Sequence, residues 1–189
     1  MRHRIPQLVL IVAALLGAWL GMQAMHEAGH VLGAWCSGGS VKQVVLHPLT
    51  ISRTDLADNP HPLLVVWAGP LFGCMLPLAL WLTMWSARLP GAYLTRFFAG
   101  FCLIANGAYI GGGSFERVGD CGEMLRHGAP MWSLWLFGVV AVPVGISLWH
   151  RLGPAFGLGA ARGHVSPGAV CVALVFALAL LVLGLVVGD

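Results

Sequence analysis

Five apolar stretches leave this chain almost no way to fold in water. They run from about Pro6 to Trp35, Pro62 to Trp85, Gly91 to Ile110, Met131 to Trp149 and Pro167 to Val187. A hydrocarbon core of about 30 Å needs roughly 20 helical residues to cross it. A chain that crosses as single segments must be helical, because only a helix satisfies every backbone N–H and C=O internally. Charged residues make up 9% of the sequence and hydrophobic ones 58%, with a mean hydropathy of +0.84. A soluble domain carries about 25% charge. The sequence therefore predicts an all-α polytopic membrane protein with about five transmembrane helices, forming a single membrane-embedded domain over residues 1–189. The first stretch is longer than the bilayer is thick, so it must tilt or protrude. Pro70 and Pro77 predict a kink in the second.

The connections carry the remaining polarity. Residues 36–61 contain "VKQVVL" and "LTIS", two β-rich segments separated by His47-Pro48, which read as a short hairpin after the first helix. Residues 111–130 are glycine-rich and then charged, and residues 150–166 form a Gly/Arg-rich loop. Five cysteines without a CxxC pair argue against both a disulfide framework and a thiolate zinc site. The net charge of +3 is dispersed and offers no stripe for nucleic acid. The start, "MRHRIPQLVLIVAALLGAWLG", has basic residues ahead of an apolar core, as a signal peptide does. It runs into histidines without a polar cleavage region, so it is read as a retained first span.

Those histidines stand near the end of the first apolar stretch, in "MQAMHEAGHVLGAW". His26 and His30 are four positions apart, on one helix face about 6 Å apart along the axis. Two imidazoles so placed can share one Zn²⁺, and Glu27 can reach a water there without being a ligand. The pattern is H-E-x-x-H, with the carboxylate as general base. Ionisable groups inside a bilayer cost several kcal/mol, about 3 each at the centre of a helix, which disfavours a merely decorative role. A buried structural His–Glu network is the bland alternative. Gly29 and Gly33, with Ala28 and Ala34, give the helix a small-residue surface for close packing.

With "HEAGH" in the first span, "AGPLFG" (68–73) in the second and "GDCGEML" (119–125) after the third, the chain resembles the site-2 protease family of M50-type intramembrane zinc metalloproteases, in particular its small bacterial members. The resemblance covers residues of about 20–130, within a protease-like core of about 6–130, and leaves 131–189 as additional helices. It implies one zinc ion per chain, held by His26, His30 and Asp120. It implies a membrane-protein substrate cut within or near its transmembrane segment, and a place in the bacterial cell membrane. The aspartate motif departs from the family's usual Leu-Asp-Gly. The family's Asn-x-x-Pro pattern is also incomplete: Asn106 is the candidate substrate-positioning residue, but no Pro follows at the matching place. Lys and Arg divide six to four in favour of a cytoplasmic N-terminus, whereas the resemblance implies the opposite orientation. Both orientations stay open.

A catalytic zinc takes three protein ligands plus water, so two histidines leave one place to fill. Asp55, Asp58, Glu116, Asp120 and Glu123 lie in loops that return to the correct side. Asp55 and Asp58 read as solvated turn and Glu116 as surface charge. Asp120 sits between Gly119 and Gly122 and opens a short helix that it could cap. Glu123 is the second candidate, and His47 and His61 are spare ligands. The strand-like 41–52 segment, with Val44 and Val45 at its centre, offers an edge for an unwound substrate. Two rival functions remain: a catalytically silent protease-like binder of membrane segments, which the intact Glu27 disfavours, and a metal-ion transporter. The transporter predicts polar residues along several spans, and the second, fourth and fifth are nearly bare of them.

Overall fold

The computed structural model describes residues 4–48 and 52–187. Its five long helices are α1 (Arg4–Cys36), α2 (Pro62–Ser86), α3 (Ala92–Gly113), α5 (Met131–Trp149) and α6 (Pro167–Val187), all apolar enough to cross a membrane. A short helix, α4 (Gly119–Arg126), joins α3 to α5, and two 3₁₀ turns (Gly153–Phe156 and Gly159–Ala161) precede α6. The only strands among the described residues, β1 (Ser40–Val45) and β2 (Arg53–Asp58), form an antiparallel pair after α1. The architecture is the expected helical membrane protein with a short sheet after the first helix. Pro70 and Pro77 lie inside α2, which remains one continuous helix.

The molecule is apolar outside and buries a few polar side chains in its interior. Leu8, Val139, Val175 and Val186 are each at least 66% exposed, while Gln23, His26, Glu27, His30 and Asn106 are buried. That distribution suits a lipid solvent, and the protein is an integral membrane protein. Between helices in lipid there is little hydrophobic drive, so close backbone approach has to supply the packing. Glycines provide it. A Cβ on Gly33 would lie 2.6 Å from Ala68 Cβ, and one on Gly29 would lie 2.8 Å from Gly69 Cα and collide with Ala68 O. The Ala68-Gly69 step of "AGPLFG" is thus the surface on which α1 rests. α3 and α5 meet in the same way: a Cβ on Gly107 would lie 2.8 Å from Ala141 Cβ, and one on Gly111 would lie 3.1 Å from Gly138 Cα. α6 covers α1, where Phe176 fills the notch left by Gly17 and, with Phe98 of α3, the one left by Gly21.

Two local expectations are corrected. The second described strand is Arg53–Asp58; of the expected strand "LTIS", residues 49–51 lie outside the described residues. Asp55 and Asp58 therefore stand in a strand rather than a solvated turn. Pairing with β1 outweighs their poor strand propensity, in the register Val44↔Thr54 and Val45↔Arg53. Asp120, read as an N-cap, instead occupies the first turn of α4, and Val118 is the capping residue. Its carboxylate is turned away from the helix backbone to meet two histidines. α4 is anchored from below by Cys121 and Met124, both fully buried against Val66, Ile110 and Leu134. The Cys121 thiol also donates to Tyr109 O at 3.3 Å.

Candidate metal centre

Two elements bring three ligand atoms to one point. His26 and His30 project from one face of α1, and Asp120 reaches them from α4. His26 Nε2 lies 2.7 Å from Asp120 Oδ2, His30 Nε2 lies 3.4 Å from the same oxygen, and the two Nε2 atoms are 3.1 Å apart. Ligands about 2.0–2.1 Å from a tetrahedral ion stand roughly 3.3 Å from one another. The observed triangle is close to that size.

The outer nitrogens decide what the inner ones can do. His26 Nδ1 donates to Asn106 Oδ1 at 2.6 Å, and His30 Nδ1 donates to the Val65 carbonyl at 2.9 Å. Asn106 Nδ2 donates to Cys102 O at 2.9 Å, which fixes the amide with its oxygen toward His26. With each Nδ1 holding the ring proton, each neutral ring presents an Nε2 lone pair to the centre. Two lone pairs and a carboxylate oxygen so close repel one another unless a cation or a proton lies between them. The donor set and its outer partners fit a metal ion. Burial pushes the Asp120 carboxyl up, but the N–H groups and positive charge that His26 and His30 present to it when their rings are protonated outweigh burial and hold the group well below its usual range. A cation held between the neutral rings would favour the ionised carboxylate in the same sense, as a ligand must be.

Glycines make room for this arrangement. A Cβ on Gly69 would overlap the His30 ring, 2.9 Å from Nδ1 and closer still to Cε1 and Nε2, and one on Gly73 would lie 3.1 Å from Asn106 Nδ2. Gly119, at φ +57°, admits no side chain because Tyr109 Oη occupies the space. That hydroxyl accepts the Asp120 backbone N–H at 3.0 Å, and the Tyr109 ring meets His26 edge-on at 5.9 Å between centroids.

The remaining candidates fall into place around this centre. Glu27 is 4% exposed and does not touch the ligand triangle; its Oε2 accepts the Thr54 hydroxyl at 2.7 Å. Glu27, the three ligands, Asn106, Tyr109, Thr54 and Leu56 line one cleft of about 680 Å³. Val44 and Val45 do not line it; the strand on the cleft is β2. Glu123 also faces the cleft but is paired with Arg126 and, at 3.4 Å, with His127. Asp55 pairs with Arg53 at 3.3 Å, and Glu116 is exposed. His61 lines a separate groove of about 720 Å³ with Trp67 and His127. Among the described residues, the cluster able to hold a metal is His26, His30 and Asp120, without His47.

The model of the family described as Peptidase M50B-like matches residues 8–109, more than half of the chain. The chain belongs to the Peptidase M50B-like family. No curated protein and no solved structure matches it. The matched range takes in His26, Glu27, His30 and Asn106 but stops short of Asp120, so the place of Asp120 rests on geometry alone. This M50B-like protein accordingly pairs membership of a membrane metallopeptidase family with a cluster of two buried histidines and a half-buried aspartate. Sequence reasoning missed Thr54, Tyr109 and the Val65 carbonyl. None of them belongs to a spaced pattern; each is brought in by folding alone.

Proposed function

We propose that this protein is an intramembrane zinc endopeptidase of the bacterial cell membrane that hydrolyses a peptide bond within or near a transmembrane segment of a membrane-protein substrate. The observation that carries the reading is the convergence of His26 Nε2, His30 Nε2 and Asp120 Oδ2 with both Nδ1 atoms committed to carbonyl oxygens. These three residues would hold one zinc ion per chain. Zinc, when bound, supplies a Lewis acid that polarises the scissile carbonyl and makes water acidic enough to attack near neutral pH.

The chain's own groups do the rest. Glu27, beside the ligands but not among them, takes a proton from the attacking water and returns it to the leaving amine. Asn106 is assigned to orienting His26 rather than to substrate, because both ends of its amide are committed within the protein. The cleft is walled by Trp19, Met22, Val65 and Leu56. Such walls limit water and receive apolar side chains. A substrate helix must unwind before attack, since its backbone bonds are otherwise internally satisfied. The receiving edge is assigned to β2, which faces the cleft, in place of Val44 and Val45 on β1.

The test is metal content and cleavage measured side by side in purified protein. Wild type should carry one zinc per chain and His26→Ala none. Glu27→Gln should keep the metal and lose cleavage. A Glu27→Gln protein that folds but loses zinc would reverse the role assignment, and wild type without zinc would remove the reading.

A further inference from the structure

Glu27 is a buried carboxylate on α1 whose hydrogen-bond partner comes from elsewhere in the fold. Thr54 Oγ1, on β2, donates to Glu27 Oε2 at 2.7 Å; the same hydroxyl lies 3.5 Å from the Glu27 backbone oxygen. A hydroxyl has one proton, and the shorter, charge-assisted contact takes it. Among the described residues no cation is paired with Glu27 and no second side chain donates to it. A carboxylate 4% exposed with one side-chain donor among the described residues is oriented by that donor.

We propose that Thr54 is a positioning residue for the reaction: it fixes the plane of the Glu27 carboxylate through Oε2 and leaves Oε1 to the attacking water. The proposal rests on the assignment of Glu27 as general base. Its consequence reaches beyond one bond. Thr54 is held opposite Val44 by the β1–β2 pair, and Leu56, two positions on, lines the same cleft. The hairpin is thereby part of the catalytic apparatus, and its seating on α1 sets the aim of the base. The metal ligands are held separately, by Asn106, Val65 and the α4 anchor. Loosening the hairpin should therefore slow turnover without releasing metal.

The experiment compares Thr54→Val, which keeps the shape and removes the hydroxyl, with Thr54→Ser, which keeps the hydroxyl. The reporter is a single-span peptide carrying a fluorophore and a quencher on either side of a Gly-Pro-interrupted apolar segment. Thr54→Val should lower kcat about 10- to 100-fold, the scale of a misaimed catalytic group, with KM within about 2-fold and zinc at one per chain. Thr54→Ser should recover kcat to within about 3-fold. Wild-type kcat in Thr54→Val, or Thr54→Ser as slow as Thr54→Val, would overturn the proposal, and so would loss of zinc in Thr54→Val. If wild type itself does not cut the reporter, the peptidase reading is what fails. The bond is then tested alone by amide hydrogen exchange over residues 53–58. Thr54→Val and Glu27→Ala should each speed exchange, and the double variant should add nothing further. Independent, additive effects would show that the two residues do not hold each other.

Discussion

Replacing Gly69 with Ala places a methyl group on α2 against the His30 ring, 2.9 Å from Nδ1 and nearer still to Nε2 and Cε1. Ordinary contact for a Cβ begins at 3.4 Å, so ring and helix must part by about 1 Å. Little can yield. His30 Nδ1 is tied to the Val65 carbonyl on the same helix, and α1 already touches the α2 backbone through Gly29. Zinc–ligand distances tolerate about 0.2 Å, so a displaced Nε2 leaves the ligand triangle. Overpacking of this kind costs about 1–3 kcal/mol. Charged to metal binding, that is roughly a 5- to 150-fold loss of zinc affinity. The assay is competition with a chromogenic chelator in detergent, with Gly112→Ala as control, since nothing lies within 4 Å of a Cβ there. Gly69→Ala with zinc affinity within about 2-fold of the control would refute the argument that α2 shapes the His30 seat.

Asp120→Ala should weaken zinc binding and abolish cleavage, while Glu116→Ala and Asp55→Ala do neither; chelator competition and the peptide reporter check both halves. Asn106→Leu should cost roughly 10- to 100-fold in zinc affinity, the usual effect of removing a ligand's outer partner, seen in the same titration. Asp120 should stay a competent ligand deep into acid. The stability Asp120 contributes is present above its ordinary value near 3.9 and is lost only as pH falls through its depressed folded value. Its contribution to zinc affinity should therefore be unchanged down to about pH 4. An Asp120-dependent protonated-carboxyl band already present at about pH 5 in infrared difference spectra would contradict the ionised state of Asp120.

The helices and the histidine pair were legible because both are local. Apolar run length marks each span, and four-residue spacing puts His26 and His30 on one face whatever surrounds them. The third ligand was legible in part. Gly119 signalled a tight approach, and the approach turned out to involve Tyr109 Oη as well as the carboxylate. The second strand was not legible, since "RTDLAD" has little strand character and is held by its pairing and by Thr54 and Leu56 packing inward. The Val65 carbonyl carries no sequence signature at all. The glycines of "AGPLFG" were visible as a motif, but their use, as seats for the His30 ring and the Asn106 amide, depends on which helix lies opposite.

The order of the ligands along the chain has a consequence for how the protein is made. Synthesis proceeds from the N-terminus, so His26 and His30 enter the membrane while Asp120 has yet to be translated. The triangle can close only after α2 and α3 have followed α1 and the short α4 has docked over Val66 and Ile110. Val65 and Asn106, which set the two ring tautomers, also arrive late. A half-made chain therefore carries an incomplete centre beside the insertion machinery that is threading it. If the centre works as proposed, it is therefore complete only once α4 has been delivered.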